Sequence, residues 1–205
     1  MKTYPIMLDV RGRRCVVAGA GPVGRRKAAS LAIAGAAVRL VDPAVEDVAI
    51  DGVEVVRAAY RRKMLDDTLL VFACTADADL NARIAADARA AGVLVNVADD
   101  PDRCDFFAPA VAADGDVVLA VGTGGASPAL AADLAEDLAR HLPDRVGEFA
   151  AACRGVREYV REAVPDPRRR RDILRRLSGQ TGRRVFAEAG ADGLMAMART
   201  LIEAG

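Results

Sequence analysis

The stretch Arg14-Cys15-Val16-Val17-Ala18-Gly19-Ala20-Gly21-Pro22-Val23-Gly24 decides the fold of this chain. Its first five residues, Arg14–Ala18, form the short β-branched run that is typical of a buried parallel strand. Three glycines with GxGxxG spacing follow, and Pro22 suits the first position of a helix. The stretch therefore predicts a strand, a tight turn and a helix, an arrangement that presents a helix N-terminus to a phosphate group.

Each glycine of this turn has its own steric task. Gly19 permits the tight turn, Gly21 removes the side chain that would keep a pyrophosphate from the backbone, and Gly24 lets helix and strand pack closely. We therefore predict that Gly19, Gly21, Pro22, Val23 and Gly24 bind a dinucleotide. The alternative is a Rossmann-like domain that has lost its ligand, which is disfavoured because an unused site need not keep every part of the motif.

The residues after the turn predict which dinucleotide is bound. A helix is expected over residues 22–34 and a second strand over Val38–Val41, so that Asp42 ends this strand about twenty residues after the glycines. A carboxylate there can accept hydrogen bonds from both ribose hydroxyls, and it would repel a 2′-phosphate, which favours NAD over NADP. Pro43 and Ala44 should flank the adenosine.

Strands and helices continue to alternate up to about residue 110, which predicts a right-handed, doubly wound parallel sheet of Rossmann type. The further predicted strands are Val53–Val56, Leu69–Ala73 and Val93–Val97, the further helix is Asp79–Ala91, and Gly35 and Gly92 should close the two helices. Thr75 follows a strand, so we interpret it as a cofactor contact in preference to a simple helix cap.

The pattern changes after Pro109. One more strand is predicted at Val117–Val121, then a glycine turn, and then a helix capped by Ser127 that runs to about Leu142. Beyond Pro143 only helical segments are predicted. The run Arg168–Arg171 has two open interpretations, a solvated helix surface or a positive wall for an acidic substrate.

Composition excludes several classes of function. Lys plus Arg and Asp plus Glu both number 29, aromatics make up 4% and Trp is absent, which argues against a nucleic-acid binder. No apolar run is long enough for a membrane span or a signal peptide, so no membrane partner is expected. The four scattered cysteines suggest reduced thiols in a cytoplasmic protein. His141 is the one histidine and is expected to cap a helix, so no stored metal is predicted.

Three motifs in this order resemble the precorrin-2 dehydrogenase/sirohydrochlorin ferrochelatase family, including the N-terminal portion of siroheme synthase. They are P-I-x-L-D-V-R-G-R-x-C-V-V-A-G-A-G-P-V-G-x-R-K at residues 5–27, V-N-V-A-D-D-P…C-D-F-F-A-P-A at residues 95–110, and V-G-T-G-G-A-S-P at residues 121–128. The resemblance covers residues 3–142 well and the tail loosely.

The resemblance implies a homodimer with a Rossmann domain at residues 1–112, a small α+β dimerisation region at 113–145 and a helical C-terminal domain at 146–205. It implies oxidation of precorrin-2 to sirohydrochlorin with NAD⁺, in siroheme or cobalamin-branch synthesis. In bifunctional members it also implies insertion of Fe²⁺, a substrate rather than a stored metal. Siroheme synthase carries a methyltransferase domain that is missing here, so methylation is expected to occur elsewhere.

The family's important aspartate falls on Asp99, which we expect to take the proton while the nicotinamide takes the hydride. The resemblance further points to Asn96, Thr123, Gly124 and Ser127 as substrate-binding residues, and Thr123 stands where the family has serine. From the residues alone, a loop whose aspartates make local turns is an alternative.

Three rival functions remain at this stage, of which one is a chelatase alone that works without NAD. Another is a different NAD-linked oxidoreductase on the same fold, and the third is a non-catalytic module that senses NAD and gates a partner.

Overall fold

Five parallel strands in the order β3-β2-β1-β4-β5 form the sheet of the first part of the chain, in a computed structural model that describes residues 3–45 and 48–204. The strands are β1 (Arg14–Ala18), β2 (Ala37–Val41), β3 (Val53–Val56), β4 (Thr68–Ala73) and β5 (Leu94–Val97), and the helices are α1 (Pro22–Ile33) and α2 (Ala78–Ala91). The predicted parallel sheet is confirmed, with element ends that differ from the prediction by at most one residue.

The sheet is covered on both faces. Ala28 of α1 packs with Cys15 and Val17 of β1 on one face, whereas Ile84 of α2 packs with Val16 of β1 and the other strands on the opposite face. Strand side chains alternate between faces, so a strand that is buried on both sides needs a continuous apolar run. This is why Cys15–Ala18 carries no polar side chain.

The strand order determines where a ligand can bind at the edge of this sheet. After β1 the chain adds β2 and β3 on one side of the sheet, and it then adds β4 and β5 on the other side. The direction in which strands are added therefore reverses between β1 and β4. In an open parallel sheet, ligands bind outside the carboxyl ends of the strands at such a reversal. Gly19 and Cys74 are the residues that follow β1 and β4 at this point.

Helices α1 and α2 both end just before the glycines that were predicted to close them. Gly35 has φ of +82° and Gly92 has φ of +70°, a conformation that glycine adopts without steric cost. The N-terminus of α2 is capped by Asp77, whose carboxylate accepts hydrogen bonds from the amides of Asp79 and Leu80.

The chain divides into two units between Ala108 and Pro109, four residues before the expected end of the Rossmann domain at 112. The difference arises from β6 (Ala110–Asp114), a strand that the alanine-rich sequence did not predict because alanine has low β propensity. It pairs antiparallel with β7 (Val117–Val121), so it belongs to the second unit. The residues expected to form separate parts, 113–145 and 146–205, lie in this one unit.

Four helices complete the second unit. They are α3 (Pro128–Arg140), α4 (Val146–Ala163), α5 (Pro167–Ser178) and α6 (Gln180–Glu203), and α6 is interrupted at Gly190, where the backbone is not helical. The last three share one apolar core around Val160, Leu177 and Leu194. Within the described ranges, no helix combines the length and apolar character needed to cross a membrane.

The arginine run at the start of α5 has a structural contact. Asp166 caps this helix by accepting hydrogen bonds from the amides of Arg168 and Arg169. The Arg169 guanidinium donates to the carbonyl oxygen of Ile202 near the end of α6. At least this member of the run therefore ties two helices together.

The hairpin is joined to α4 by a close backbone contact at Gly147. Its amide donates to a carboxylate oxygen of Asp114 at 2.9 Å. A Cβ at this position would overlap the Asp114 carbonyl group, whereas a Cβ at Gly155 on the same helix would meet no atom within 4 Å.

These two glycines form a matched pair for a stability test. We expect Gly147→Ala to destabilise the protein by ~1–3 kcal/mol, because backbone must move to relieve the overlap. Gly155→Ala should stabilise it by about 0.5–1 kcal/mol, the usual gain from replacing glycine inside a helix. Thermal unfolding of both variants followed by circular dichroism checks the prediction, and equal melting temperatures would contradict it.

Candidate functional site

Two glycines of the GxGxxG turn are required by the fold itself. Gly19 has φ of +100°, and a Cβ there would overlap the carbonyl group of Cys74 and lie 2.8 Å from the Thr75 nitrogen. A Cβ at Gly24 would overlap the carbonyl oxygen of Gly19. The turn can therefore lie between the ends of β1 and β4 only if both residues lack a side chain.

Gly21 is different, because no protein atom requires it. Its φ of −69° suits any residue, and a Cβ there would meet nothing within 4 Å. Gly21 is also the N-cap residue of α1, and no side chain of the described residues caps this helix. The first amides of α1 therefore face open space with a partial positive charge, which fits a phosphate group held close to the backbone.

Asp42 is held beside this open space. One carboxylate oxygen accepts a hydrogen bond from the Ala20 amide at 2.7 Å, and the other accepts one from the Ala44 amide at 2.8 Å. Each oxygen keeps a further lone pair that can accept from a ribose hydroxyl. Pro43 and Ala44 form the exposed turn that follows. The structure thus brings together the glycine turn, Asp42, Pro43 and Ala44, and their contact with a dinucleotide stays a prediction.

The basic residues at the start of α1 divide into different roles. The Arg25 side chain donates to the Ala20 carbonyl oxygen at 2.6 Å and so braces the glycine turn, a role that sequence reasoning missed. Lys27 is half-buried, with its ammonium group 5.5 Å from the centre of the Phe72 ring. Burial lowers the pKa of Lys27, and the neighbouring Arg26 contributes in the same direction. Val23 is exposed in the same turn.

Thr75 is fixed by a side chain that the sequence did not single out. Its hydroxyl donates to the Asn81 amide oxygen at 2.7 Å, and the Asn81 amide nitrogen donates to the Thr75 carbonyl oxygen at 3.0 Å. Asn81 is the one buried polar side chain of the described residues, and its position on the inward face of α2 was the available signal. Asp77, not Thr75, caps α2, so the interpretation of Thr75 as a cap is wrong, and its cofactor contact stays a prediction.

Asp99 lies just beyond β5, at the same edge of the sheet as the glycine turn. Its φ is +60°, in the left-handed region that aspartate tolerates better than most residues. It is exposed, and no described residue makes a hydrogen bond or an ion pair with its carboxylate. Asp99 and Lys27 are both close enough to Cys74 to influence the pKa of that thiol.

Two other aspartates of this loop, Asp100 and Asp105, have structural roles. Asp100 accepts a hydrogen bond from the Arg103 amide and forms an ion pair with the Arg103 side chain. Asp105 accepts a hydrogen bond from the Val95 amide at 3.0 Å. The turn-forming interpretation is therefore correct for Asp100, whereas Asp105 joins the loop to β5, and the carboxylate oxygens of Asp99 take no part in these contacts.

Cys104 anchors the loop that carries Asp99. Its sulfur accepts a hydrogen bond from the Val97 amide at 3.2 Å and lies 3.2 Å from the Asp100 carbonyl oxygen, to which the thiol donates. The Asn96 amide nitrogen donates to the Phe106 carbonyl oxygen at 2.9 Å. The Asn96 side chain thus uses a hydrogen-bond donor to hold the loop, and its contact with substrate stays a prediction. Burial raises the pKa of Cys104, which keeps this thiol protonated.

Cys74 is a further residue that sequence reasoning did not place in the site. It follows β4 directly and its carbonyl group lies against Gly19. Burial raises the pKa of its thiol to about 11. Cys74 is therefore a neutral group at neutral pH, and the crevice edge holds the free carboxylate of Asp99 beside an uncharged thiol.

The predicted substrate residues of the second unit form a closed turn. The Thr123 hydroxyl donates to the Ser127 carbonyl oxygen at 3.0 Å and accepts from the Ser127 amide at 3.1 Å. The Ser127 hydroxyl caps α3 by accepting from the Leu130 amide, and Gly124 has φ of +64°. Both hydroxyls thus have partners in the protein, and their contact with substrate remains a prediction.

His141 lies at the end of α3, as predicted. It is the C-cap residue, it is exposed, and its Nδ1 is 2.8 Å from the Asp137 carbonyl oxygen. In residues 3–45 and 48–204, no three His, Cys, Asp or Glu side chains gather as they would around a metal ion.

Comparison with solved structures supports the fold. The chain superposes on a structure described as "SirC, precorrin-2 dehydrogenase" with a TM-score of 0.76 and 22% identity, over 97% of this chain and all of that chain. This likeness confirms the predicted Rossmann-type fold with a helical C-terminal region.

Sequence comparison finds the relatives that the motifs resemble. The siroheme synthase of Methylococcus capsulatus is 39% identical over 181 residues, which cover 86% of this chain and 38% of that protein. The siroheme synthase of Nitrosococcus oceani is 35% identical over 206 residues, which cover 95% and 43%. The chain thus spans about two fifths of the length of these curated relatives.

A family model described as "Putative NAD(P)-binding" matches residues 6–110, which contain the glycine turn, Asp42 and Asp99. The match confirms a nicotinamide dinucleotide as the predicted class of cofactor. The chain belongs to this family of putative NAD(P)-binding proteins.

Proposed function

We propose that this protein oxidises precorrin-2 to sirohydrochlorin with NAD⁺, in the synthesis of siroheme or of the cobalamin branch. The observation that carries the proposal is the free carboxylate of Asp99 at the same strand edge as the open glycine turn. The siroheme synthase relatives and the likeness to a precorrin-2 dehydrogenase support the choice of substrate. The four cysteines are free thiols, which fits a reducing cytoplasm.

The residues present fit a dinucleotide. The amides of α1 beside Gly21 would hold the pyrophosphate, and the carboxylate of Asp42 would hold the adenosine ribose. The fixed negative charge of Asp42 would repel a 2′-phosphate, so we propose NAD as the preferred cofactor. When bound, the nicotinamide supplies the acceptor for a hydride.

Asp99 supplies the second half of the chemistry. Oxidation of the reduced macrocycle releases one proton for each hydride, and a carboxylate with free lone pairs can accept that proton. The neighbouring groups are less suited to it, because the Cys74 thiol is neutral and the Thr75 hydroxyl is bound to Asn81. The Cys104 contacts with Val97 and Asp100 brace the backbone on both sides of Asp99.

We also propose that the protein is a homodimer through the second unit. Leu130, Leu134 and Leu138 form a stripe along α3 and are 39–50% exposed. Val111 and Val118 are exposed on one face of the hairpin. Such exposed apolar side chains on a chain with no membrane-spanning helix among its described residues favour association with a second copy.

Asp99→Asn tests the proposed proton acceptor. We expect turnover of precorrin-2 with NAD⁺ to fall by about a hundredfold or more, while the Kd for NAD stays within about twofold, since Asp99 makes no contact with the glycine turn. Asp102→Asn, an exposed carboxylate in the same loop, should leave both unchanged. NADH formation under anaerobic conditions measures the rate. Full activity of Asp99→Asn would remove it from the mechanism, and NAD binding by the wild type without turnover would favour a sensing module.

Gly21→Ala tests the proposed position of the cofactor. The extra methyl group enters open space, so the melting temperature should change little, whereas the affinity for NAD should fall at least about tenfold, or ~1.4 kcal/mol. Gly24→Ala should instead destabilise the fold, because its Cβ overlaps Gly19. Isothermal titration with NAD and thermal unfolding distinguish the two effects. Unchanged NAD affinity in Gly21→Ala would contradict this placement.

Leu134→Glu tests the proposed dimer. A charge in the middle of the leucine stripe should convert the dimer to monomer, because burying it unpaired costs several kcal/mol. Ala132→Glu places the same charge on an exposed part of α3 away from the stripe and should leave the dimer intact. Analytical ultracentrifugation gives the masses, and a monomeric wild type would refute the proposal.

A further inference from the structure

Asn81 has a role that neither the parallel sheet nor the GxGxxG motif explains. It lies in the first turn of α2 and its side chain is buried, with 7% exposed. Burying an amide costs free energy unless its hydrogen bonds are made, and an apolar side chain would serve the packing of the helix equally well. An asparagine at this position therefore indicates a specific hydrogen-bond partner.

The partner of this side chain is Thr75. The Asn81 Oδ1 atom accepts from the Thr75 amide at 3.2 Å and from the Thr75 hydroxyl at 2.7 Å. The Asn81 Nδ2 atom donates to the Thr75 carbonyl oxygen at 3.0 Å. Among the described residues, no other group bonds with the backbone amide or carbonyl of Thr75. One side chain thus supplies what a neighbouring strand supplies inside a sheet.

Thr75 needs such a substitute because the pairing of β1 with β4 ends just before it. The Cys74 amide donates to the Ala18 carbonyl oxygen at 2.7 Å. After Ala18 the chain leaves the sheet at the Gly19 turn, so β1 has no further residue to offer to Thr75. The amide of Asn81 therefore extends the hydrogen bonding of this chain one residue beyond the sheet.

This hydrogen bonding also fixes the peptide group between Cys74 and Thr75. In a trans peptide the N–H and C=O groups point in opposite directions. Because the Thr75 N–H points to Asn81, the Cys74 C=O points away from it, and this carbonyl lies against Gly19. A Cβ at Gly19 would overlap the carbonyl group, so the glycine turn and this peptide are in close contact. The position of the peptide therefore limits the position of the turn.

We infer that Asn81 is a positioning residue of the dinucleotide site, acting through the Cys74–Thr75 peptide. Without its amide, the Thr75 N–H and C=O groups would lose their partners and the peptide could rotate out of its contact with Gly19. The inference rests on the proposed binding of NAD at the glycine turn. It adds a buried residue of α2 to the contacts that hold this turn in shape.

Asn81→Asp tests the inference, because it keeps the shape of the side chain and replaces its donor with an oxygen. At pH 8 the ionised carboxylate would face the Thr75 carbonyl oxygen, so we expect the Kd for NAD to rise about tenfold or more. Burial raises the pKa of a carboxyl group, and at pH 5 the protonated form can donate to Thr75 again. The Kd should then return to within about threefold of the wild-type value. Isothermal titration with NAD measures both values.

Three further measurements complete the experiment. The wild type at both pH values corrects for other groups that titrate, such as Asp42. Asn81→Ala removes every hydrogen bond without adding a charge, so the Kd should rise about tenfold at either pH, and it replaces the aspartate variant if that variant does not fold at pH 8. Ile84→Val removes one methyl group from a fully buried residue of the same helix. It should lower the melting temperature and leave the Kd within about twofold.

The outcomes separate this inference from the proposed function. Wild-type affinity for NAD in Asn81→Ala, or an equal loss of affinity in Ile84→Val, would overturn the role of Asn81 and leave NAD as the cofactor. A loss of affinity in Asn81→Asp that is as large at pH 5 as at pH 8 would also overturn it. A wild type that does not bind NAD would refute the proposed cofactor and this inference with it.

Discussion

The close approach of the Gly19 turn to the end of β4 is the constraint on which the candidate site depends. Gly19 lies against the Cys74 carbonyl, Gly24 lies against Gly19, and the Asp42 carboxylate holds the Ala20 amide. These contacts join the residues that follow the carboxyl ends of β1, β2 and β4. The N-terminus of α1, the Asp42 carboxylate and the β4 end are therefore held in place by contacts within the protein.

The alternation of strand and helix patterns in the sequence was sufficient to predict the fold of the first unit. Continuous apolar runs at β1 and β4, together with glycines at the helix ends, predicted a parallel sheet whose boundaries agree with the structure almost residue for residue. The GxGxxG turn and Asp42 were likewise predictable, because their roles depend on short-range spacing and backbone geometry. The second unit was harder, since β6 is rich in alanine and becomes a strand only by pairing with β7.

The remaining site residues depend on tertiary contacts that spacing does not reveal. Asn81 holds Thr75 across a turn, and Cys104 uses its thiol to fasten the loop that carries Asp99. A lone asparagine in a helix, or a cysteine in a loop, has many ordinary explanations in sequence. Among four nearby aspartates, the hydrogen bonds of Asp100 and Asp105 occupy two carboxylates, and of the remaining two, Asp99 and Asp102, Asp99 is the one that lies just beyond β5.

The open space around Gly21 has an evolutionary consequence. Steric overlap would preserve Gly19 and Gly24 in any descendant that keeps this fold, whatever it does. Position 21 has no such restraint, so a lineage that abandoned the nucleotide would be free to acquire a side chain there. Among proteins of this architecture, a glycine at position 21 therefore indicates that a nucleotide is bound. Glycines at positions 19 and 24 indicate only that the fold is kept.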